Sequence, residues 1–323
     1  MELAAKKRLQ IYAGRSHPAL ARQIVDHLGV ELGEANLRTF PNGEIKCQFG
    51  ESVRGSDVFI IQTHCSPVNE WIMELLVMID AASRASAKRI TAVCPYYGYS
   101  RQDRKAEPRE PISAKLVANM MVVAGANRMV SVDLHSGQIQ GFFDKPVDHL
   151  TAMPVLLKYL ADEGGDDLVV VSPDAGRAKE AERYAQHLGS DMAFIFKTRP
   201  KGTIATVHAN EVIGDVAGRR CVVIDDMIDT AGTICAAADL LKAKGAEEVW
   251  AMATHGLLSD PAVDRLKNSA FERVVLTDTV PLPPEKELDK IEVLSVSKII
   301  ADGIDAVFED TSVSEIFGGE NHS

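Results

Sequence analysis

The sequence predicts an α/β protein of two related domains, each a mostly parallel sheet covered by helices. Three observations predict it. Runs such as RMVSVDL (128–134), DLVVVSPD (167–174) and CVVIDD (221–226) are nearly unbroken apolar stretches, as expected of parallel strands buried on both faces. Segments with helical apolar spacing alternate with them. The length, 323 residues, exceeds one ordinary core and suits two domains of about 150 residues each.

In order along the first half, DVFIIQ (57–62) reads as a strand and EWIMELLVMIDAASRASA (70–87) as a helix. RITAVCPYYGY (89–99) is a strand entering a loop. Ser113 is placed to cap a helix through KLVANMMVVAG, with Gly125 as its stop. RMVSVDL is the next strand. The second half has DLVVVSPD, a helix near AKEAERYAQHLG, and the strand MAFIF (192–196). CVVIDD follows, then a helix from about Thr230 to Lys244 closed by Gly245. EVWAMATHG (248–256), RVVLTDTV (273–280) and KIEVLSVS (290–297) supply further strands. The domain boundary is expected near residue 150, giving 1–150 and 151–323. SRQDRKAEPREP (100–111), with four basic residues and two prolines, reads as an exposed, mobile loop, and 197–212 as a second loop. The terminal GGENHS is expected to be disordered.

Composition narrows the class. With 46 % hydrophobic and 25 % charged residues the chain is ordinary for a globular protein. No apolar run approaches the ~18 residues that span a membrane. MELAAKKRLQIYAG lacks the apolar core of a secretory signal. Five scattered cysteines without a CxxC pair point to free thiols and a cytoplasmic location. A net charge of −11 argues against non-specific binding to nucleic acid or anionic membrane. It leaves room for a small phosphorylated substrate in a locally basic pocket.

The stretch CVVIDDMIDTAGT (221–233) carries the chemistry. Ligands of open α/β sheets bind at the carboxyl ends of strands, so Asp225 and Asp226 are expected just past the strand CVVI. The Thr230–Thr233 stretch then opens a helix, whose first N–H groups and partial positive charge suit a phosphate. Two carboxylates repel phosphate but suit ribose hydroxyls or Mg²⁺. A sugar phosphate satisfies both ends. The plainer reading is a strand ending in solvated acids with a threonine cap, but the whole 13-residue pattern is far more specific than that.

This stretch resembles the phosphoribosyl-pyrophosphate (PRPP) loop of the type I phosphoribosyltransferase fold. FPNGE (40–44), YYGYSRQDRKAEPREPISAKLVAN (96–119), VDLHSGQIQGFFDKPVDHL (132–150), VVSPDAGRAKEAERYA (170–185), KTRP (197–200) and SVSEIF (312–317) resemble segments of the ribose-phosphate pyrophosphokinases. The likeness runs in order from about residue 9 to residue 317, nearest the bacterial class regulated by phosphate and ADP.

The resemblance implies two type I phosphoribosyltransferase-like domains, with the segment from about 304 packing back on the first. It implies that ATP and ribose 5-phosphate give PRPP and AMP, for nucleotide, histidine and tryptophan biosynthesis. Lys197 becomes the catalytic lysine, and Arg199 a second catalytic residue that also contacts ribose 5-phosphate. Phe40, Asn42, Gly43, Glu44, Arg101 and Gln102 surround the nucleotide, and Arg104 and Lys105 belong to the loop that closes over ATP. Asp225, Asp226, Asp229, Thr230, Ala231, Gly232 and Thr233 hold ribose 5-phosphate. His135 and Asp174 each support a Mg²⁺ ion. Arg54, Ser312 and Ser314 match a regulatory anion site, with phosphate as activator. The resemblance also implies a homohexamer whose active site is shared between subunits. Read without it, Lys-x-Arg at 197–199 is a surface pair, His135 a structural histidine, and FPNGE a turn.

Two positions depart from the family pattern. Asn42 stands where aspartate is usual, keeping size and losing charge. Arg177 stands in Asp-Ala-Gly-Arg where Gly-Gly is frequent, and is expected to approach phosphate and help. A phosphoribosyltransferase that consumes PRPP would need only the second half. A non-catalytic regulatory relative should have lost Lys197, His135 or Asp174. A nicotinamide-dependent dehydrogenase lacks its GxGxxG after a strand.

Overall fold

The computed structural model describes residues 7–165, 167–198 and 209–318, without the side chains of 197, 198, 209 and 210. The chain forms two compact units. The first comprises 7–151, 279–281 and 296–318; the second comprises 152–278 and 282–295. The terminal segment of the first unit thus begins at Val296.

The elements in chain order are β1 (Leu9–Ala13), α1 (Pro18–Leu28), β2 (Leu32–Gly33), β3 (Ala35–Thr39), β4 (Ile45–Phe49), β5 (Asp57–Ile61), α2 (Val68–Arg84), β6 (Arg89–Cys94), α3 (Ser113–Ala124), β7 (Arg128–Val132), β8 (Val147–Leu150), α4 (Met153–Glu163), β9 (Leu168–Ser172), α5 (Ala178–Leu188), β10 (Asp191–Thr198), β11 (Ala209–Ile213), β12 (Arg220–Ile228), α6 (Gly232–Ala243), β13 (Glu248–Gly256), α7 (Ala262–Lys267), β14 (Arg273–Thr277), β15 (Ile291–Leu294) and α8 (Ser297–Glu309).

In the first unit the sheet order is β2-β1-β5-β6-β7-β8, and every pairing is parallel. Tyr12, Val58, Ile60, Ala92, Cys94 and Met129 share one face and pack with Leu75, Met78, Val117 and Met121 of α2 and α3. Strand side chains alternate, so Ile11, Phe59, Ile61, Val93 and Val130 face the other way, and they are buried too. Such two-sided burial is why these strands read as unbroken apolar runs. α8 packs on α1; His27 Nε2 and Ser297 Oγ lie 3.1 Å apart, and Arg89 and Lys7 both pair with Asp310.

In the second unit the order is β11-β10-β9-β12-β13-β14-β15, with only the β10–β11 pairing antiparallel. Val169, Val171, Cys221, Val223, Val249, Ala251 and Val274 pack with Ile234, Ala238 and Leu241 of α6 and Leu266 of α7. Mostly parallel sheets covered by helices are the architecture expected of the chain.

Some boundaries differ from expectation. Ser113 does not cap α3: it is the first helical residue, and its hydroxyl donates to Gln102 Oε1 at 2.7 Å. Gly125 does end that helix, at φ +124°, with its N–H on Met121 and Val122 carbonyls. The expected loop at 197–212 is instead edged by strand, because β10 runs to Thr198 and pairs with β11. GGENHS falls outside the described residues except for Gly318. Among the described residues no helix is long and apolar enough to cross a membrane.

Candidate active site

The second unit's strand ends come first. β12 does not stop at Ile224, as the sequence suggested, but continues to Ile228. It pairs with β9 only as far as Val223 opposite Val171, and with β13 as far as Ile228 opposite Gly256. From Ile224 onward one edge of β12 has outrun its β9 neighbour. Asp225 and Asp226 lie on this overhang, as strand residues rather than loop residues. Asp226 is buried at 3 % exposure and Asp225 half-buried.

The chain then turns into α6 through Asp229 and the exposed Thr230. Ala231 precedes the helix in the left-handed region, at φ 59° and ψ 6°, and no side chain caps the helix. That backbone is costly for a residue with a Cβ. The turn there carries the hydroxyls of Thr230 and Thr233, both exposed. The threonine cap of the plainer reading is therefore absent, and the helix begins two residues later than predicted. Arg265 of α7 donates from Nη1 to the Thr230 carbonyl at 2.8 Å and so pins the loop; nothing in the sequence marked it.

Asp174 and Arg177 follow β9. Asp174 Oδ1 accepts from the N–H of Gly176 at 2.8 Å and of Arg177 at 3.3 Å. The Arg177 guanidinium, expected to approach phosphate, is turned to three carboxylates. Its Nη2 lies 2.5 Å from Asp226 Oδ1, its Nε 3.3 Å from Asp225 Oδ1, and its Nη1 3.2 Å from Glu180 Oε2. Burial and the neighbouring Asp226 charge push the Asp225 carboxyl well above the usual carboxylate range, with Arg177 opposing. Burial works against charge on Arg177, but Asp226, Glu180 and Asp225 outweigh it and hold the guanidinium charged. Lys197 is a strand residue opposite Asn210 at the end of β10. Arg199 lies outside the described residues. A cavity of about 220 Å³ beside Gly164, Arg220 and Glu248 sits at the opposite, N-terminal ends of these strands.

In the first unit, FPNGE is the tip of the β3–β4 hairpin. Phe40 N–H donates to the Glu44 carbonyl at 2.7 Å and Gly43 N–H to the Phe40 carbonyl at 2.8 Å. Asn42 Oδ1 accepts from the Glu44 N–H at 3.2 Å, so its side chain shapes the turn. Gly43 stands at φ +91°, which a residue with a Cβ rarely adopts. Phe40 stays exposed under the Arg38 guanidinium, 5.2 Å from the ring centre.

The loop bearing Arg101, Gln102, Arg104 and Lys105 is exposed but tethered. Ser113 holds Gln102, and Ser136 Oγ donates to Asp103 Oδ2 at 2.7 Å. Glu110 accepts the N–H groups of Ala106 and Glu107. His135 is next to Ser136, and its other neighbour, Leu134, donates its N–H to His149 Nε2 at 2.9 Å. The first unit thus brings the His135 turn and the basic loop together through Asp103 and Ser136, two residues that sequence reasoning passed over. Arg54 is exposed, and Ser312 opens the short 3₁₀ turn that contains Ser314.

Residues 9–125 match the model of the N-terminal domain of ribose phosphate pyrophosphokinase, and 199–318 match the phosphoribosyl synthetase-associated domain. A ribose-phosphate pyrophosphokinase from Streptomyces avermitilis is 52 % identical, over 98 % of each chain. This chain belongs to the ribose-phosphate pyrophosphokinase family. Another member, from Caldanaerobacter subterraneus, is 53 % identical over 96 % of this chain and 98 % of its own. The crystal structure of phosphoribosylpyrophosphate synthetase from Mycobacterium smegmatis superimposes with a TM-score of 0.89 at 50 % identity, covering 94 % of this chain and all of that one. As a ribose-phosphate pyrophosphokinase family member the chain is a transferase, and its mostly parallel α/β units are shared with the Mycobacterium smegmatis structure.

Among the described residues no three His, Cys, Asp or Glu side chains gather as a metal cage. Mg²⁺ in phosphoryl-transfer sites is commonly held by one or two carboxylates plus substrate phosphates and water. Asp174 fits that use: Oδ1 accepts the N–H groups of Gly176 and Arg177, and Oδ2 is a second hard oxygen on the same carboxylate.

Proposed function

We infer that this protein transfers the pyrophosphoryl group of ATP to the 1-hydroxyl of ribose 5-phosphate, giving PRPP and AMP for nucleotide biosynthesis. The observation that best supports the assignment of the sugar site is the β12 overhang: two carboxylates followed by a helix N-terminus without a side-chain cap. Asp225 and Asp226 would accept hydrogen bonds from ribose hydroxyls. The N–H groups from Asp229 to Thr233, with the Thr230 and Thr233 hydroxyls, would take the 5-phosphate. Arg199 would add a contact to the same phosphate.

The nucleotide would be read by Phe40, Asn42, Gly43 and Glu44, with Phe40 as a stacking face, and by Arg101 and Gln102. The sugar 1-oxygen attacks the β-phosphorus of ATP. The bond from that phosphorus to the oxygen bridging the α-phosphate breaks, AMP leaves, and the hydroxyl proton is released. Such a transfer depends on in-line positioning and charge neutralisation. Lys197 would stabilise charge on the transferring group, with Arg104 and Lys105 closing the loop against water. Two Mg²⁺ ions, supported by His135 and by Asp174, would neutralise the ATP phosphates.

The same reading makes the working enzyme a cytoplasmic homohexamer whose FPNGE hairpin serves a neighbouring subunit's ATP. Arg54, Ser312 and Ser314 would form its regulatory anion site, with phosphate as activator. Substituting Lys197→Ala should lower kcat by about 10³-fold while leaving substrate KM values within a few-fold, since its role is confined to the transition state.

The test is a Mg²⁺-dependent assay of purified protein with ATP and ribose 5-phosphate, following AMP and PRPP. Equal amounts of both, lost when either substrate or Mg²⁺ is withheld, are expected. AMP without PRPP would mean hydrolysis. No turnover, even with phosphate added, would overturn the reading in favour of a regulatory subunit.

A further inference from the structure

Arg177 is the residue that the reaction described above does not use. Its three guanidinium nitrogens each meet a different carboxylate: Nε meets Asp225, Nη2 meets Asp226 and Nη1 meets Glu180. The side chain is four-fifths buried, at 19 % exposure. Its backbone N–H is held by Asp174 Oδ1. Both ends of the residue are therefore fixed, and the fork faces the overhang of β12.

Two adjacent carboxylates on one strand, one of them at 3 % exposure, repel each other and need a positive partner close by. A divalent cation could serve, and so could a guanidinium. The chain carries the guanidinium. A planar fork also fixes direction: each donor engages one carboxylate oxygen at a set angle, which a mobile lysine would not do.

We propose that Arg177 is a built-in counter-cation and positioning residue for the ribose site, orienting Asp225 and Asp226 so that they receive the sugar without a metal ion between them. The proposal rests on the reading of β12 and its loop as the ribose 5-phosphate site. Glu180 is the outer brace, keeping the guanidinium turned toward the strand. The Asp225 and Asp226 oxygens are then set as acceptors before the sugar arrives, and sugar affinity becomes independent of the ion that the ATP phosphates require.

The test is calorimetric titration of the full-length protein with ribose 5-phosphate, in buffer with EDTA and again with Mg²⁺. The wild-type protein should bind equally in both, within about three-fold. Arg177→Gln should bind at least about ten-fold more weakly in EDTA, a loss of about 1.4 kcal/mol, and recover most of it with Mg²⁺. Arg177→Lys, which keeps the charge and loses the fork, should fall between them, and it carries the test if the Gln variant fails to fold. Unchanged or tighter binding by the variants in EDTA would overturn the proposal, the latter by making Arg177 a competitor of the sugar. A wild-type protein that binds only with Mg²⁺ would also overturn it. If the wild-type protein binds ribose 5-phosphate in neither buffer, the assignment of the site itself fails, and the proposal with it.

Discussion

The two units apply the same strand order to opposite ends. Five-residue β1 matches five-residue β9, and β1 pairs with β5 as β9 pairs with β12. Leu9 beside Asp57 then corresponds to Leu168 beside Arg220. The faces agree: Tyr12, Val58 and Ile60 pack under α2, as Val171, Cys221 and Val223 do under α6. Counting on, Gln62 and Thr63 occupy the positions of Asp225 and Asp226, and Arg15 that of Asp174.

In the first unit these positions are sealed. Gln62 and Thr63 are fully buried. Gln62 Oε1 accepts from Ser16 Oγ at 2.7 Å, and its Nε2 donates to Glu74 Oε1 at 3.0 Å. Glu74, fully buried in α2, also accepts from the Arg15 N–H and from Arg15 Nε. Thr63 Oγ1 donates to the Thr279 carbonyl and accepts from the Tyr96 N–H. The polar groups there satisfy one another, so they hold the fold and have no capacity left for a ligand. In the second unit the corresponding groups are acids on an overhang beside an exposed loop. On the proposed reading that second strand end is the sugar site, and the contrast is between polar groups that satisfy one another and acids held by a single guanidinium.

That contrast can be broken at four points, in falling order of effect. Asp226→Asn removes a charge from the end proposed to receive the sugar. It should cost on the order of 10²–10³-fold in kcat/KM for ribose 5-phosphate, roughly 3–4 kcal/mol of transition-state stabilisation. Circular dichroism should show an unchanged fold; an unchanged kcat/KM would make the two strand ends alike. Glu74→Ala does the converse. It removes the buried carboxylate that Gln62 and the half-buried Arg15 share as an acceptor, and should lower unfolding free energy by about 3 kcal/mol in urea titration. A stability loss well under 1 kcal/mol would mean that the network is not what holds this end together.

The third point is pH. His64, fully buried beside Cys94, accepts the Gly98 N–H on Nδ1 at 3.1 Å, and burial pushes its pKa down to about 3. The folded state therefore keeps it neutral while the unfolded chain takes a proton below about pH 6.5. Stability from this residue is complete above pH 6.5 and falls as pH drops toward 3, by about 1.4 kcal/mol per unit, so about 2 kcal/mol at pH 5. His64→Gln should remove that slope from the difference between urea titrations at pH 7 and pH 5; an equal slope in both proteins would place the titration elsewhere. The smallest effect is Thr233→Ala, which deletes one hydroxyl of the phosphate loop. It should raise the KM for ribose 5-phosphate about five-fold, near 1 kcal/mol. A KM unchanged within error would assign the phosphate to backbone N–H groups alone.

Much of this was legible before any coordinates. EVWAMATHG reads as a strand over 248–256, and β13 spans those residues. The stop at Gly125 was visible because a glycine with a positive φ is a local requirement. The acids of DDMID and the small-residue turn were legible as a pair, since each needs the other to make chemical sense. What escaped was whatever depended on a neighbour. The length of β12 was misjudged because apolarity ends at Ile224, while pairing with β13 carries the strand four residues further. Ser113 reads as a cap from its sequence position, but Gln102 competes for its hydroxyl.

Local and periodic features were thus set by the sequence alone: the alternation of buried strands and helices, the glycine stops, and the acids and turn of residues 221–233. These depend on side-chain type and spacing within a few residues. Tertiary structure decided which polar groups are consumed and which remain for a ligand. Gln62 and Asp225 stand equally far from the starts of β5 and β12. The difference is that Ser16 and Glu74 come back from elsewhere in the chain to satisfy the first, while Arg177 reaches the second as a charge. Such pairings join residues 12 to 48 positions apart, and no local pattern encodes them.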